Sequence, residues 1–273
     1  IFAPFGRCFY GSPFLGLDAP QRIDAEVMPE LSRRAAAWIT AQPADQPWCL
    51  YFTPTALHEP VTPSRTRRGS SRAGAWGDYL RDLDDAVGAA LDAVERRGET
   101  GRTLVIFTSD NGGLSLARHC LPRTGAAVRA AVQLGIKPNG RFRGEKGGAF
   151  EGGSKVPFLV RWPGRVPAGT RSAAHFNLVD SMPSILAALG LPLPAGAAPD
   201  GWDASAIWMA ETPPATPRPA SVQHSAAGDF CLRDGAWKLI AAEKVRVFYA
   251  EIPARFGILN PDKDDPLAAE NAS

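Results

Sequence analysis

The loop at residues 109–113 carries a carboxylate and an amide side by side, which makes it a candidate metal site. Asp110 and Asn111 stand between an apolar run and two glycines, in the order Ser-Asp-Asn-Gly-Gly. Carboxylate and amide oxygens are hard ligands that suit Ca²⁺ or Mg²⁺ better than a soft metal. The same sequence is also typical of an ordinary turn, because Asn and Gly tolerate positive φ and Asp hydrogen-bonds to nearby backbone. Both interpretations stay open on local sequence alone.

Two basic residues are candidates for binding an anion. Lys146 lies among Gly144, Gly147 and Gly148. The backbone there can approach an anion closely, while the ammonium group binds a sulfate or phosphate oxygen. His58 follows a predicted strand and could donate to the same anion or protonate a leaving group near neutral pH. A solvated loop lysine and an inert loop histidine are the simpler alternatives.

The elements around these residues indicate an α/β arrangement. Apolar residues at steps of three and four predict an amphipathic helix over residues 77–97. The unbroken apolar run at 103–108 is typical of a central parallel strand covered on both faces. This order places Asp110 and Asn111 at the carboxyl end of a strand, where open α/β sheets bind ligands.

The remaining patterns predict two domains. Residues 190–220 are rich in Pro, Ala and Gly, which indicates a boundary. We expect a main α/β domain at 1–210 and a small antiparallel-sheet subdomain at 211–273. Further helices are predicted at 29–39, 126–134 and 179–189, and further strands at 48–52, 157–162, 230–232, 237–240 and 245–249.

Composition narrows the class of partner. The 30 Lys and Arg residues nearly balance the 28 Asp and Glu residues, which argues against nucleic acid as the main partner. The longest apolar runs are too short to span a bilayer. The four cysteines are scattered without C-x-x-C spacing, which argues against a zinc site and leaves the redox compartment undecided.

Eight runs, in this order, resemble the type I sulfatases, specifically the arylsulfatase-A-like members of the alkaline-phosphatase-like superfamily. The likeness covers roughly residues 8–250, with 114–140 less clear. The runs are LYFTPTALHEP at 50–60, GDYLRDLDDAVG at 77–88, TLVIFTSDNG at 103–112, RGEKG at 143–147, FEGG at 150–153, VPF at 156–158, RWPG at 161–164 and LRDGAWKLI at 232–240.

The resemblance implies a fold, a reaction and a set of roles. The fold would be α/β, with a mixed or mostly parallel sheet between helices, incomplete at its N-terminus, and a small C-terminal antiparallel sheet. The reaction would be hydrolysis of a small-molecule or carbohydrate sulfate ester. Asp110 and Asn111 would be ligands of an active-site Ca²⁺, with Mg²⁺ as the alternative. Lys146 and His58 would bind the sulfate group and assist departure of the alcohol or phenol.

The nucleophile of this family is a formylglycine, made from the cysteine of a C-x-P/A-x-R motif, and no cysteine here fits that motif. Cys120 comes nearest, but Arg123 stands one place too early and the run follows the D-N-G-G loop. By resemblance, the motif and an acidic pair that completes the metal site precede the residues present here. We therefore interpret the chain as the C-terminal part of the enzyme, and expect it to be poorly soluble or inactive alone.

Two other functions stay open at this point. Related members of the superfamily cleave phosphate or phosphonate esters, which the same metal and anion residues would serve. A sulfatase-derived protein that binds an anion or a partner without catalysis is the second alternative. The resemblance favours a periplasmic or secreted location, whereas the residues indicate no particular ester and no oligomeric state.

Overall fold

A computed structural model of the chain describes residues 23–114, 126–209 and 218–241. These residues form two compact units. The first contains residues 23–99, 114 and 126–141, and the second contains 100–113, 142–209 and 218–241. This division does not test the predicted domain boundary near residue 210, which stays a prediction.

Two long helices build the first unit. They are α1 (Asp24–Thr40) and α2 (Gly74–Arg96), and they confirm the helices predicted at 29–39 and 77–97. One buried cluster between them contains Met28, Tyr79 and Ala86. Because α1 begins at Asp24, Pro29 lies inside the helix and not in its first turn. The first turn contains acidic residues instead, which are stabilising there because they lie at the positive end of the helix dipole.

Two buried aspartates of α2 accept hydrogen bonds from the loop at residues 63–71. Asp82 is buried and accepts hydrogen bonds from the Ser64 backbone N–H at 2.7 Å and its hydroxyl at 2.5 Å. Asp78 accepts from the N–H groups of Gly69 at 2.8 Å and Ser71 at 2.7 Å. Asp82 is therefore buried although it lies in a charged stretch of the helix.

The segment at residues 48–52 forms no strand, contrary to the prediction. Its side chains pack against the helices instead: Trp48 and Leu50 contact the buried cluster around Ile39, and Phe52 contacts the cluster around Met28. An apolar run of this length indicates burial, and it does not specify whether the covering surface is a strand or a helix. Helix α3 (Ala126–Gln133) completes the described part of this unit, as predicted.

The second unit contains a pair of strands that carries the 109–113 loop. Strand β1 (Val105–Thr108) pairs antiparallel with β2 (Phe158–Arg161), so that Val105 faces Arg161 and Thr108 faces Phe158. The predicted strands at these places are confirmed, but the parallel pairing expected for residues 103–108 is wrong within the described residues. An apolar run reports that both faces are covered, whereas strand direction depends on a partner distant in sequence.

A three-stranded antiparallel sheet, called the C-terminal sheet below, is the other part of the second unit. Its strands are β3 (Ser221–His224), β4 (Phe230–Asp234) and β5 (Trp237–Ala241), paired in that order. The predicted small antiparallel sheet is thus confirmed for β4 and β5. Strand β3 was not predicted, and the strand predicted at 245–249 lies outside the described residues.

Three shorter helices connect these strands: α4 (Glu151–Ser154), α5 (Ser181–Ala188) and α6 (Ser205–Met209). A 3₁₀ turn, Leu178–Asp180, precedes α5, and together they confirm the helix predicted at 179–189. Among the described residues, no helix combines the length and apolar character that crossing a membrane requires.

A buried ion pair ties this helical region to the start of the C-terminal sheet. Asp180 is fully buried, and Arg218 donates to both of its carboxylate oxygens, at 2.6 and 2.9 Å. The Trp202 N–H donates to Asp180 as well, at 2.9 Å. His175 lies close by, with Nε2 2.8 Å from the Ser221 hydroxyl. Burial lowers the pKa of His175, and the positive charges of Arg218 and Arg233 lower it further.

Candidate active site

The loop that follows β1 presents two oxygens in a form that suits a hard cation. Asp110 Oδ1 accepts the Asn111 N–H at 2.9 Å, and Asn111 Nδ2 donates to the Gly112 carbonyl at 2.9 Å. Within the described part of the chain, Asp110 Oδ2 and Asn111 Oδ1 take part in no hydrogen bond. Asp110 is exposed and Asn111 is half-buried. These two oxygens fit the ligand chemistry of Ca²⁺ or Mg²⁺.

This loop is joined directly to the segment at residues 143–153, called the Lys146 loop below. The Gly112 N–H donates to the Gly153 carbonyl at 2.9 Å, and the Lys146 N–H donates to the Gly113 carbonyl at 3.2 Å. A Cβ at Gly112 would overlap the Gly152 carbonyl oxygen. The paired glycines in the two motifs therefore allow the two backbones to lie against each other. The structure thus brings the predicted metal ligands and the predicted anion-binding lysine into one region.

The Lys146 loop folds tightly on itself. The Gly152 N–H donates to the Arg143 carbonyl at 2.7 Å, and the Gly148 N–H donates to the Glu145 carbonyl at 2.9 Å. Gly147 has φ +83°, a conformation that a side chain would strain. Lys146 itself is half-buried. The loop therefore has a defined conformation, which fixes the position of the Lys146 backbone.

Charged side chains from the C-terminal sheet hold the helix α4 end of this loop. Glu151 forms ion pairs with Lys238 at 3.1 Å and with Arg233 at 3.0 Å. Lys238 also donates to the Ser154 hydroxyl at 3.3 Å. Burial alone would raise the pKa of Glu151, but hydrogen bonds and charge from Lys238 and Arg233 outweigh it and hold that pKa below its ordinary value. Glu151 is therefore an ionised anchor at neutral pH.

His58 lies in the other compact unit, in the loop between α1 and α2. It is exposed, and its Nδ1 lies 2.8 Å from the Glu59 carbonyl oxygen. A carbonyl only accepts, so Nδ1 carries the proton of this hydrogen bond. Nε2 is consequently the ring nitrogen that takes no part in this hydrogen bond. A place for His58 beside Lys146 stays a prediction.

The metal site stays a prediction too. Across residues 23–114, 126–209 and 218–241, no three His, Cys, Asp or Glu residues are grouped closely enough to hold a metal ion. Asp110 and Asn111 therefore supply two ligands of what would be a larger set. Cys120 and Arg123, the nearest match to the nucleophile motif, lie outside the described residues.

The contacts of Glu151 were not predicted from the sequence. The signal available was the run LRDGAWKLI, in which a short turn separates two apolar segments, each carrying one cation. In the hairpin of β4 and β5, Arg233 pairs directly with Lys238, so both cations lie on the same face of the sheet. That pairing could have indicated a carboxylate partner, although not which one.

Comparison with known proteins gives a consistent result. The sulfatase family model matches residues 24–191. N-acetylgalactosamine-6-O-sulfatase of Bacteroides thetaiotaomicron is 30% identical over 218 residues, which is 80% of this chain and 40% of that protein. Human N-acetylgalactosamine-6-sulfatase is 35% identical over 169 residues, 62% of this chain and 30% of that protein. Human arylsulfatase H is 38% identical over 141 residues, 51% of this chain and 23% of that protein.

Solved structures agree. The first structure comes from work on the metabolism of multiple glycosaminoglycans by Bacteroides thetaiotaomicron. It superposes on this chain with a TM-score of 0.71 at 29% identity, and the match covers 81% of this chain and 44% of that chain. Another, of Ps i-CgsB, has a TM-score of 0.66 at 22% identity, covering 96% of this chain and 55% of that chain, and it supports the fold alone.

The chain belongs to the sulfatase family. The predicted membership is confirmed, and so is the predicted α/β fold class of the alkaline-phosphatase-like kind. The chain spans less than half the length of the curated relatives described above. Activity, substrate and metal content are properties of the whole protein.

Proposed function

We propose that the protein containing this chain hydrolyses a sulfate ester of a carbohydrate. The observation that carries the proposal is the union of the Asp110–Asn111 loop with the Lys146 loop through two backbone hydrogen bonds, at 2.9 and 3.2 Å. Two hard oxygens that would hold a cation, and one ammonium group in the same region, suit the binding of an anionic sulfate group. Relatives named N-acetylgalactosamine-6-sulfatase support a sulfated amino sugar as the substrate class.

Lys146 would bind a non-bridging sulfate oxygen, and its charge would stabilise the negative charge that develops as the ester bond breaks. The bond between sulfur and the ester oxygen would break as the nucleophile forms its bond to sulfur, and the electron pair of the broken bond would go to the ester oxygen. His58 would deliver a proton from Nε2 to the departing oxygen, because Nδ1 is engaged with the Glu59 carbonyl. The sugar then leaves as a neutral alcohol.

Two groups supplied from elsewhere complete the proposal. Asp110 Oδ2 and Asn111 Oδ1 would hold a Ca²⁺ ion, with Mg²⁺ as the alternative, whose charge would offset that of the sulfate oxygens. A formylglycine outside these 273 residues would supply the nucleophile, as the family resemblance implies. A periplasmic or secreted location is part of the same proposal.

The test is an activity assay of the whole protein, made in a host that converts the motif cysteine to formylglycine. We expect release of sulfate from N-acetylgalactosamine 6-sulfate and from an aryl sulfate. The variant Lys146→Met, which lacks the ammonium group, should have a kcat/KM lower by about a hundredfold or more. The matched variant Lys137→Met, at an exposed lysine, should leave it unchanged.

Two outcomes would contradict the proposal. Cleavage of the corresponding phosphate esters and not of the sulfate esters would assign the protein to phosphoryl transfer. Absence of any turnover, together with retained sulfate binding, would support a non-catalytic protein.

Removal of divalent cations with a chelator should abolish activity, and added Ca²⁺ should restore it if Asp110 and Asn111 hold that ion.

A further inference from the structure

The C-terminal sheet contacts the Lys146 loop at several points. The Ala226 N–H donates to the Gly147 carbonyl at 2.9 Å, one residue after Lys146. The sulfur of Cys231 is buried and lies 3.9 Å from the Ala149 carbonyl oxygen. The sheet therefore touches the backbone on the C-terminal side of the lysine, and its position affects the loop directly.

The ion pairs of Glu151 are the charged part of this contact. Arg233 and Lys238 are direct neighbours across β4 and β5, and like charges in that arrangement repel each other. Each cation contacts a different oxygen of Glu151, Oε2 and Oε1 respectively. The single carboxylate therefore contacts both cations and offsets part of the repulsion between them. All three side chains are partly buried, which strengthens the interaction relative to an exposed pair.

Glu151 lies inside the Lys146 loop, and the two residues that follow it make backbone hydrogen bonds. The next residue, Gly152, donates to the Arg143 carbonyl at 2.7 Å, and the residue after that accepts from Gly112 at 2.9 Å. A displacement of Glu151 would therefore move both the Lys146 loop and the backbone that follows the predicted metal ligands.

We propose that Glu151, Arg233 and Lys238 form a positioning cluster through which the C-terminal sheet holds the Lys146 loop in its sulfate-binding conformation. The three are positioning residues and not catalytic ones, because they act through Lys146. This inference rests on the proposed function for its effect on activity, whereas its structural part is independent of it. The cluster would make the C-terminal sheet a requirement for anion binding.

The experiment compares Glu151→Gln, Lys238→Met and the reciprocal exchange Glu151→Lys with Lys238→Glu in the whole protein. Hydrogen exchange of peptides covering residues 143–153 measures loop opening. We expect each of the first two variants to raise exchange there about tenfold, with peptides of α1 and α2 unchanged. The reciprocal exchange restores an opposite-charge pair, so it should recover most of the protection.

Activity provides the second readout. Glu151→Gln should raise KM and weaken competitive inhibition by inorganic sulfate, and kcat/KM should fall about tenfold to a hundredfold. The control is Glu30→Gln, which removes exposed ion pairs to Arg33 and Arg34 on α1 and should change neither readout. A purely structural role would lower thermal stability without altering inhibition by sulfate.

Several results would overturn the inference. Unchanged exchange at 143–153 in Glu151→Gln would show that the cluster does not hold the loop. Faster exchange throughout the protein, or failure of the reciprocal exchange to restore protection, would assign the cluster to general stability. If the unaltered protein cleaves no sulfate ester, the proposed function fails, while the exchange data still decide whether the cluster positions the loop.

Discussion

Two loops of this protein, at residues 63–71 and 143–153, are both held by hydrogen bonds, but they depend on opposite features of the sequence. In the first, carboxylates of a helix accept the bonds: Asp82 accepts from Ser64, and Asp78 accepts from Gly69 and Ser71. In the second, backbone carbonyls accept them, and glycines let the chain segments approach. One loop requires particular side chains, whereas the other requires their absence.

The difference has a consequence for how each region tolerates change. The first loop is fastened to a long helix that also packs an apolar cluster, so it retains support when one contact is lost. The second loop has short elements around it and is supported by close backbone approach and by ion pairs. We therefore expect single substitutions to disturb the second region more.

The largest effect should come from a matched pair of arginines. Arg218 and Arg67 each make a two-pronged contact to an aspartate, Asp180 and Asp85 respectively, but only the first pair is buried. Arg218→Leu leaves a fully buried carboxylate without its cation, which should cost about 3–5 kcal/mol. Arg67→Leu should cost much less, because solvent screens exposed ion pairs. Denaturant unfolding of both variants measures the difference, and equal losses would show that burial does not decide the cost of losing the arginine.

The next effect concerns two glycines that both lie in helices. Alanine is the better helix former, so propensity alone predicts that Gly88→Ala and Gly152→Ala both stabilise. At Gly88 a Cβ would meet nothing within 4 Å, and a gain of about 0.5–1 kcal/mol is expected. At Gly152 it would overlap the Gly144 carbonyl oxygen and lie 2.7 Å from the Arg143 carbonyl oxygen. That variant should lose about 1–3 kcal/mol.

Thermal unfolding distinguishes the two glycine variants by the sign of the change. A second measurement follows the site itself: Gly152→Ala should lower kcat/KM about a hundredfold, because a small displacement of a binding group has a large effect on rate. Gly88→Ala should keep full activity. Stabilisation by Gly152→Ala would mean that the loop relaxes freely, which would remove the distinction between the two regions.

Sequence patterns predicted the elements with a local signal. Helix α2 has apolar residues at helical spacing over six turns, so its extent was predicted to within three residues at its start. Strands β1 and β2 were also predicted from local apolar runs, but their antiparallel pairing was not, because strand direction depends on residues about fifty positions away. The segment at 48–52 looked like a strand because apolar residues report burial and not the covering element.

The site divides in the same way. Asp110, Asn111 and Lys146 were predicted from residue type and motif order, and the backbone bonds between their loops agree with that grouping. The supporting contacts were not predicted: Glu151 meets Lys238 from 87 positions away, and Asp180 meets Arg218 from 38. Long-range ion pairs of this kind have no local pattern, so only the folded structure reveals them.

The smallest expected effect is the pH dependence of stability that Asp78 contributes through the loop at 63–71. Burial alone would raise the pKa of Asp78, but the N–H groups of Gly69 and Ser71 and the Ser70 hydroxyl outweigh it and hold that pKa below its ordinary value. Because the unfolded chain takes up this proton first, at about pH 4, the stabilisation is complete above that pH. It is lost as pH falls through the lower pKa of the folded state. Asp78→Asn should cost about 1 kcal/mol at pH 7 and reduce the loss of stability between about pH 5 and pH 3.

The control is Asp92→Asn, at an exposed position of the same helix, which should keep the steeper acid dependence of the unaltered protein. Glu151 contributes its own acid dependence in both variants, since its pKa is also held low. Denaturant unfolding at several pH values isolates the share of Asp78 as the difference between the two curves. Parallel curves would show that the loop at 63–71 does not depend on the charge of Asp78, and that its support comes from Asp82 and the helix packing.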